Sequence, residues 1–181
     1  CILVNGEKCK TGYSLDINDE ILINLPNDNL NPIKLEPENL ELDVIFEDEY
    51  LIAINKTAKM VVHPGVNATN GTLVNGLIYH FKQLSDINGE LRPGIIHRLD
   101  KGTSGVILIA KSNMAHSNLA EQFQNREIRK QYIALTWGIW KNKKGQINQP
   151  ISRDKKDYRK YRVKSPGKSS ITNYEVKKEF N

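Results

Sequence analysis

"PGIIHRLDKGTSGVILIAK", residues 93–111, is the stretch that decides the fold. Pro93-Gly94 breaks the chain, Ile95-Ile96 reads as a brief strand, Gly102 and Gly105 bracket a tight turn, and the unbroken apolar run from Val106 reads as a fully buried strand. His97, Arg98 and Asp100 fall within four consecutive positions, with Lys101 beside them. A turn that merely joins two strands uses Asn, Gly or Pro and does not need a cation on each side of a carboxylate. The crowding reads as a site in which Asp100 is held on a rigid turn. The residues also fit a plainer arrangement, in which Asp100 caps its own turn through an Asx-type bond to the amide near Gly102 and Arg98 pairs with it.

Working outward, Ser112 is placed to cap a helix whose apolar face is Ala115, Leu119 and Phe123. "RKQYIALTWGIW" (129–140), "KYRVKS" (160–165) and "SITNYEVKKEF" (170–180) read as strands. On the other side, Leu73, Leu77, Phe81 and Leu84 recur at helical spacing behind Gly71-Thr72. The amide-rich start of that helix reads as a phosphate seat. Two short strands, Leu42–Phe46 and Tyr50–Asn55, flank the acidic turn Glu47-Asp48-Glu49. The first residues read as strand, Asn5-Gly6 turn, loop and second strand ending at Pro26, followed by a proline-containing stretch without periodicity. Several strands and two helices in no strict alternation predict an α+β fold around a mixed, largely antiparallel sheet. The expected organisation is a hairpin over 1–27, a linker over 28–41 and the main domain over 42–181.

At 181 residues and 39% hydrophobic content, the chain suffices for one ordinary core with a small appendage. No apolar run has the roughly 18 to 20 residues of a membrane span. The chain starts at Cys1 on an alternating apolar pattern without a signal-peptide layout, and is expected to be a piece of a longer cytoplasmic protein. Cys1 and Cys9 are the two cysteines, too few for a disulfide framework or structural zinc. Residues 1–50 hold twelve acids and three bases, whereas Arg126–Lys168 holds fourteen bases and three acids. That asymmetry suggests a polyanion-facing surface confined to one part of the chain, although a solvated basic face has the same composition.

Three segments carry a resemblance. "MVVHPGVNATNGTLVNGLIYH" (60–80), "HRLDKGTSGVILIAK" (97–111) and "REIRKQYIAL" (126–135), in this order, closely resemble the RluA/RluD-type pseudouridine synthases. "PISRDKKDYRKYRVKSPGKSSITNYEV" (150–176) is similar to the RluD-like branch, which acts on large-subunit ribosomal RNA. The opening "VNGE…GYSLDINDEILINLP" (4–26) resembles the last hairpin of an S4 RNA-binding domain. Two features depart from the family pattern. Gly102 stands where an acid is usual, and the family's final Gly-Arg-Thr-His-Gln-Ile-Arg-like motif is expected to lie beyond Asn181.

The resemblance implies isomerisation of uridine to pseudouridine in RNA. The N1–C1′ bond breaks, the uracil turns over and it is rejoined through C5, with no net redox change and no cofactor or metal. The base must first be flipped from its stack. Asp100 is then the nucleophile or base, and Tyr132 lines the uracil and manages the C5 proton. Arg98 fills the vacated space and holds neighbouring phosphates. His97, by its neighbours, packs under the loop bonded to backbone or orients the Asp100 loop, and His63 forms a loop at the edge of the RNA-binding pocket; Lys56 and Lys101 contact phosphate, and Arg129 and Lys130 flank Tyr132. Arg153, Arg159, Lys160 and Arg162, interleaved with Tyr158 and Tyr161, form an RNA-tracking surface. The implied partner is 23S-type ribosomal RNA or a pre-ribosomal particle, met by a cytoplasmic monomer without membrane attachment. The rival reading is a non-catalytic, ribosome-associated RNA-binding module.

Overall fold

Turn chemistry and apolar alternation set the elements of this computed structural model, which describes residues 2–9, 13–24, 34–65, 68–154, 157 and 160–180. The chain forms two compact units, Cys1–Arg129 and Lys130–Asn181.

In the first unit, β1 (Ile2–Val4) pairs antiparallel with β2 (Glu7–Lys8) and with β3 (Ile21–Ile23). Asn5 and Gly6 between β1 and β2 both have positive φ, 51° and 81°, as a two-residue hairpin turn requires. A second sheet orders β4 (Val44–Glu47), β5 (Leu51–Lys56) and β6 (Gly105–Ala110), all antiparallel. Its central strand buries Ile52 and Ile54 against Ile107 and Ile109 of β6 and against Leu73, Val74 and Leu77. β6 is less uniformly buried than its apolar run suggests. Val106, at its open end, is 55% exposed. The expected Ile95-Ile96 strand reduces to a single bridge from Ile95 to Ile109.

Helix α1 (Leu73–His80) starts where Thr72 and Asn75 close a reciprocal capping box. It ends one turn earlier than the apolar spacing suggests. Phe81 is already extended at the C-cap, and Phe81 and Leu84 pack on the core from outside the helix. Helix α2 (Asn113–Gln124) is capped by Ser112, whose side chain accepts the Ala115 amide. Residues 34–42 lie across α1: Glu38 N–H donates to the Asn75 carbonyl, Asn75 Nδ2 to the Glu36 carbonyl, and Leu35 and Leu42 pack on the core.

The second unit is built on β7 (Lys144–Arg153), the centre of a three-stranded antiparallel sheet between β8 (Tyr161–Val163) and β9 (Lys168–Glu175). The strand expected over 129–140 does not form. A strand exists only through a ladder partner, and the sheet of this unit does not include that stretch. Ile133, Leu135, Trp137 and Ile139 are accordingly exposed. Among the described residues no helix is long and apolar enough to cross a membrane.

Candidate active site

The loop from Gly94 to Thr103 is fastened at successive points. Gly94 accepts the Ala110 amide at 2.9 Å and donates to the Ser85 carbonyl at 2.6 Å. Its φ of 71° and the 2.6 Å that would separate a Cβ from Ile109 Cγ2 demand glycine. His97 Nε2 accepts the Leu108 amide at 2.9 Å, and its ring packs on Phe123 with centroids 4.5 Å apart. Leu99 is buried. Lys101 accepts the Lys59 amide at 2.7 Å, and Thr103 N–H closes the turn on the Asp100 backbone carbonyl at 3.0 Å.

Asp100 therefore sits on a braced turn, and its side chain takes no part in the bracing. Its carboxylate is exposed and has no hydrogen-bond or ion-pair partner among the described residues. The plainer arrangement, Asp100 capping its own turn and pairing with Arg98, is not what the chain adopts. The Gly102 backbone is outside the left-handed region and a Cβ there meets nothing within 4 Å, so neither conformation nor space explains the missing acid at that position.

Lys56, expected as a phosphate contact, is buried instead. It is 1% exposed at the end of β5, in register with Gly105, and its ammonium donates to the Thr57 and Met60 carbonyls at 2.9 Å each. Burial pushes its pKa below the ordinary lysine value, and the nearby Asp100 carboxylate opposes part of that shift. A buried cation thus lies within electrostatic reach of the exposed carboxylate.

His63 is half-buried, and burial, Arg92 and Arg98 in that order hold its pKa below the usual histidine value. Its Nδ1 has no partner among the described residues. The first unit thus gathers Asp100, Arg98, Lys101, His97, His63 and Lys56, with Arg129 exposed at its end. Arg92 and Lys59 join them unforeseen. Pro93 and Gly94 after Arg92, and the departure of Lys59 from turn chemistry, were the available signals.

The phosphate seat at the start of α1 is already occupied by the protein itself. Gly71 N–H donates to Glu38 Oε1, Leu73 N–H to the Val61 carbonyl, Val74 N–H to the Val62 carbonyl and Asn75 N–H to Thr72 Oγ1. A helix start whose amides are bonded has none to offer an anion.

The remaining candidates belong to the second unit. Tyr132 is 65% exposed in a stretch without regular structure, and not on the expected strand. Lys130 precedes it and is exposed. Arg153 lies over the Tyr161 ring at 5.0 Å, Lys160 reaches Asp157 at 3.6 Å, and Arg162 forms an ion pair with the buried carboxylate of Asp154. Tyr158 and Arg159 lie outside the described residues.

The family described as RNA pseudouridylate synthase matches residues 50–181. An uncharacterized RNA pseudouridine synthase of Bacillus subtilis is 39% identical over 179 residues, covering 99% of this chain and 58% of its own length. The ribosomal large subunit pseudouridine synthase D of Borreliella burgdorferi is 38% identical over 181 residues, covering 97% of this chain and 56% of its own. The chain thus spans a little over half the length of these relatives. A solved structure of human RNA pseudouridylate synthase domain containing 1 has a similar fold, with a TM-score of 0.57 and 23% identity over 74% of this chain and 51% of that one. Matched over most of its length, Asp100 turn included, the chain belongs to the RNA pseudouridylate synthase family.

Proposed function

We propose that the protein converts uridine to pseudouridine in large-subunit ribosomal RNA, with Asp100 opening the glycosidic bond. The observation that carries this is an exposed carboxylate without a hydrogen-bond or ion-pair partner among the described residues, on a turn braced by other groups and near a buried ammonium. A carboxylate kept out of its own turn's hydrogen bonding is available to react. In the reaction the N1–C1′ bond breaks, a C5–C1′ bond forms, C5 loses a proton and N1 gains one. Tyr132 lines the uracil and handles the C5 proton. Arg98 occupies the space of the flipped base, and Lys101 with Arg129 and Lys130 holds flanking phosphates. Arg153, Lys160 and Arg162 track the strand further along. Residues 1–27 serve as the closing hairpin of an S4-like RNA-binding domain, 28–41 as the link, and 42–181 as part of the catalytic domain, in a cytoplasmic monomer. The ribosomal substrate is supported by the name of the relative from Borreliella burgdorferi.

The test is Asp100→Asn, which keeps size and much of the hydrogen-bonding shape. The variant should retain thermal midpoint and RNA affinity while single-turnover pseudouridine formation nearly stops. A stable, RNA-binding variant that still converts uridine at close to the parent rate would remove Asp100 from the chemistry.

A further inference from the structure

Lys59 occupies a turn position with φ 74°, where glycine is the ordinary residue because a Cβ is strained there. The turn is fastened on two sides. The buried Lys56 ammonium holds its Thr57 and Met60 carbonyls, and the Lys59 amide bonds to the Lys101 carbonyl on the Asp100 loop. The Lys59 side chain is exposed and its ammonium has no hydrogen-bond or ion-pair partner among the described residues. Nothing among those residues offsets the strain of keeping a lysine there. Strain held beside a reactive group is a mark of function. The local charge points the same way, since Arg98 and Lys101, on the Asp100 loop itself, also have no ion-pair partner among the described residues. Such a surface is neutralised by a polyanion.

We infer that Lys59 is a substrate-binding residue whose ammonium contacts the phosphodiester backbone of the RNA strand beside Asp100. This rests on the RNA-modifying reading above. Strain and contact predict opposite signs in one substitution. Lys59→Gly should raise the thermal midpoint by about 2 to 4 °C by relieving the backbone. It should also weaken binding of a short uridine-containing single-stranded RNA several-fold and lower the salt slope of that binding by about 0.7. Lys59→Gln, which keeps the strain and removes the charge, should leave the midpoint unchanged and weaken binding equally, while Lys59→Arg retains both affinity and slope. If affinity and slope are unchanged in both Lys59→Gly and Lys59→Gln, the inference is overturned. Conversion of the same RNA by the parent protein is measured in parallel. With the longer protein that carries the motif expected beyond Asn181, binding without conversion overturns the synthase reading, while the binding curves still decide for or against Lys59.

Discussion

Two glycines in the same loop separate what backbone demands from what chemistry demands. At Gly94 a methyl group would meet Ile109 Cγ2 at 2.6 Å and the Ala110 carbonyl at 2.8 Å, on a left-handed backbone. Gly94→Ala should cost about 2 to 4 kcal/mol in denaturant unfolding, because neither a β-strand carbonyl nor a packed isoleucine can move aside cheaply. Gly102 has open space and an ordinary φ. Gly102→Ala should therefore stabilise by about 0.4 to 1 kcal/mol, by narrowing the freedom of the unfolded chain. If both substitutions proved equally damaging, the loop geometry at Gly102 would be wrong. The sequence alone ranks these two glycines alike, since the clash lies with a strand residue that only the fold brings near. Asp100 was legible as a candidate from its neighbours, but its disengaged carboxylate was not, because an Asx bond and a free side chain have the same sequence.

Among the elements, those with local start and stop signals were readable and those defined by distant partners were not. The Asn5-Gly6 turn, the Thr72 and Ser112 caps and the β4–β5 hairpin all carry their cause in adjacent residues. β7 escaped because Gly145 and Pro150 interrupt a polar stretch, although Pro150 is tolerated at the point where its carbonyl, and not an N–H, is used by Lys164. Residues 129–140 looked like a strand by composition and lack a ladder. Lys56 could not be read as buried, since only its two carbonyl partners make that placement tolerable. One contact between elements gives a pH prediction. Asn88 Nδ2 donates to the Ile95 carbonyl at 2.8 Å and faces His116 Nε2 at 3.1 Å, which fixes that ring nitrogen as an acceptor and the imidazole as neutral. Burial lowers the His116 pKa below 6.5, so the unfolded chain binds the proton more readily than the folded one. Stability should be full above pH 6.5 and fall as pH drops below it, until the lowered folded value is passed. His116→Gln should flatten that segment of the stability curve measured by chemical denaturation; an unaltered segment would assign it to other groups.

For the molecule as a whole, charge separates along the chain, with the first fifty residues strongly acidic and Arg126–Lys168 strongly basic. Within the basic unit, removing Arg162 would strand the buried carboxylate of Asp154, so the exposed Arg153 and Lys160 are changed instead. Changing both to Ala should reduce the salt slope of RNA binding by roughly 0.7 for each phosphate left without its cation, and should weaken binding similarly across unrelated RNA sequences. A slope that stays put would return the stretch to a solvated basic face. The β5–β6 ladder, meanwhile, joins residues about fifty positions apart and ends at Lys56 opposite Gly105, beside the turns that carry Lys59 and Asp100. The Lys59–Lys101 bond that ties the two turns to each other forms only when that long loop has closed. In a growing polypeptide, then, the Asp100 turn is not tied to the Lys59 turn until β6 has left the ribosomal tunnel. Translation past Ala110 sets the earliest moment at which this site can exist.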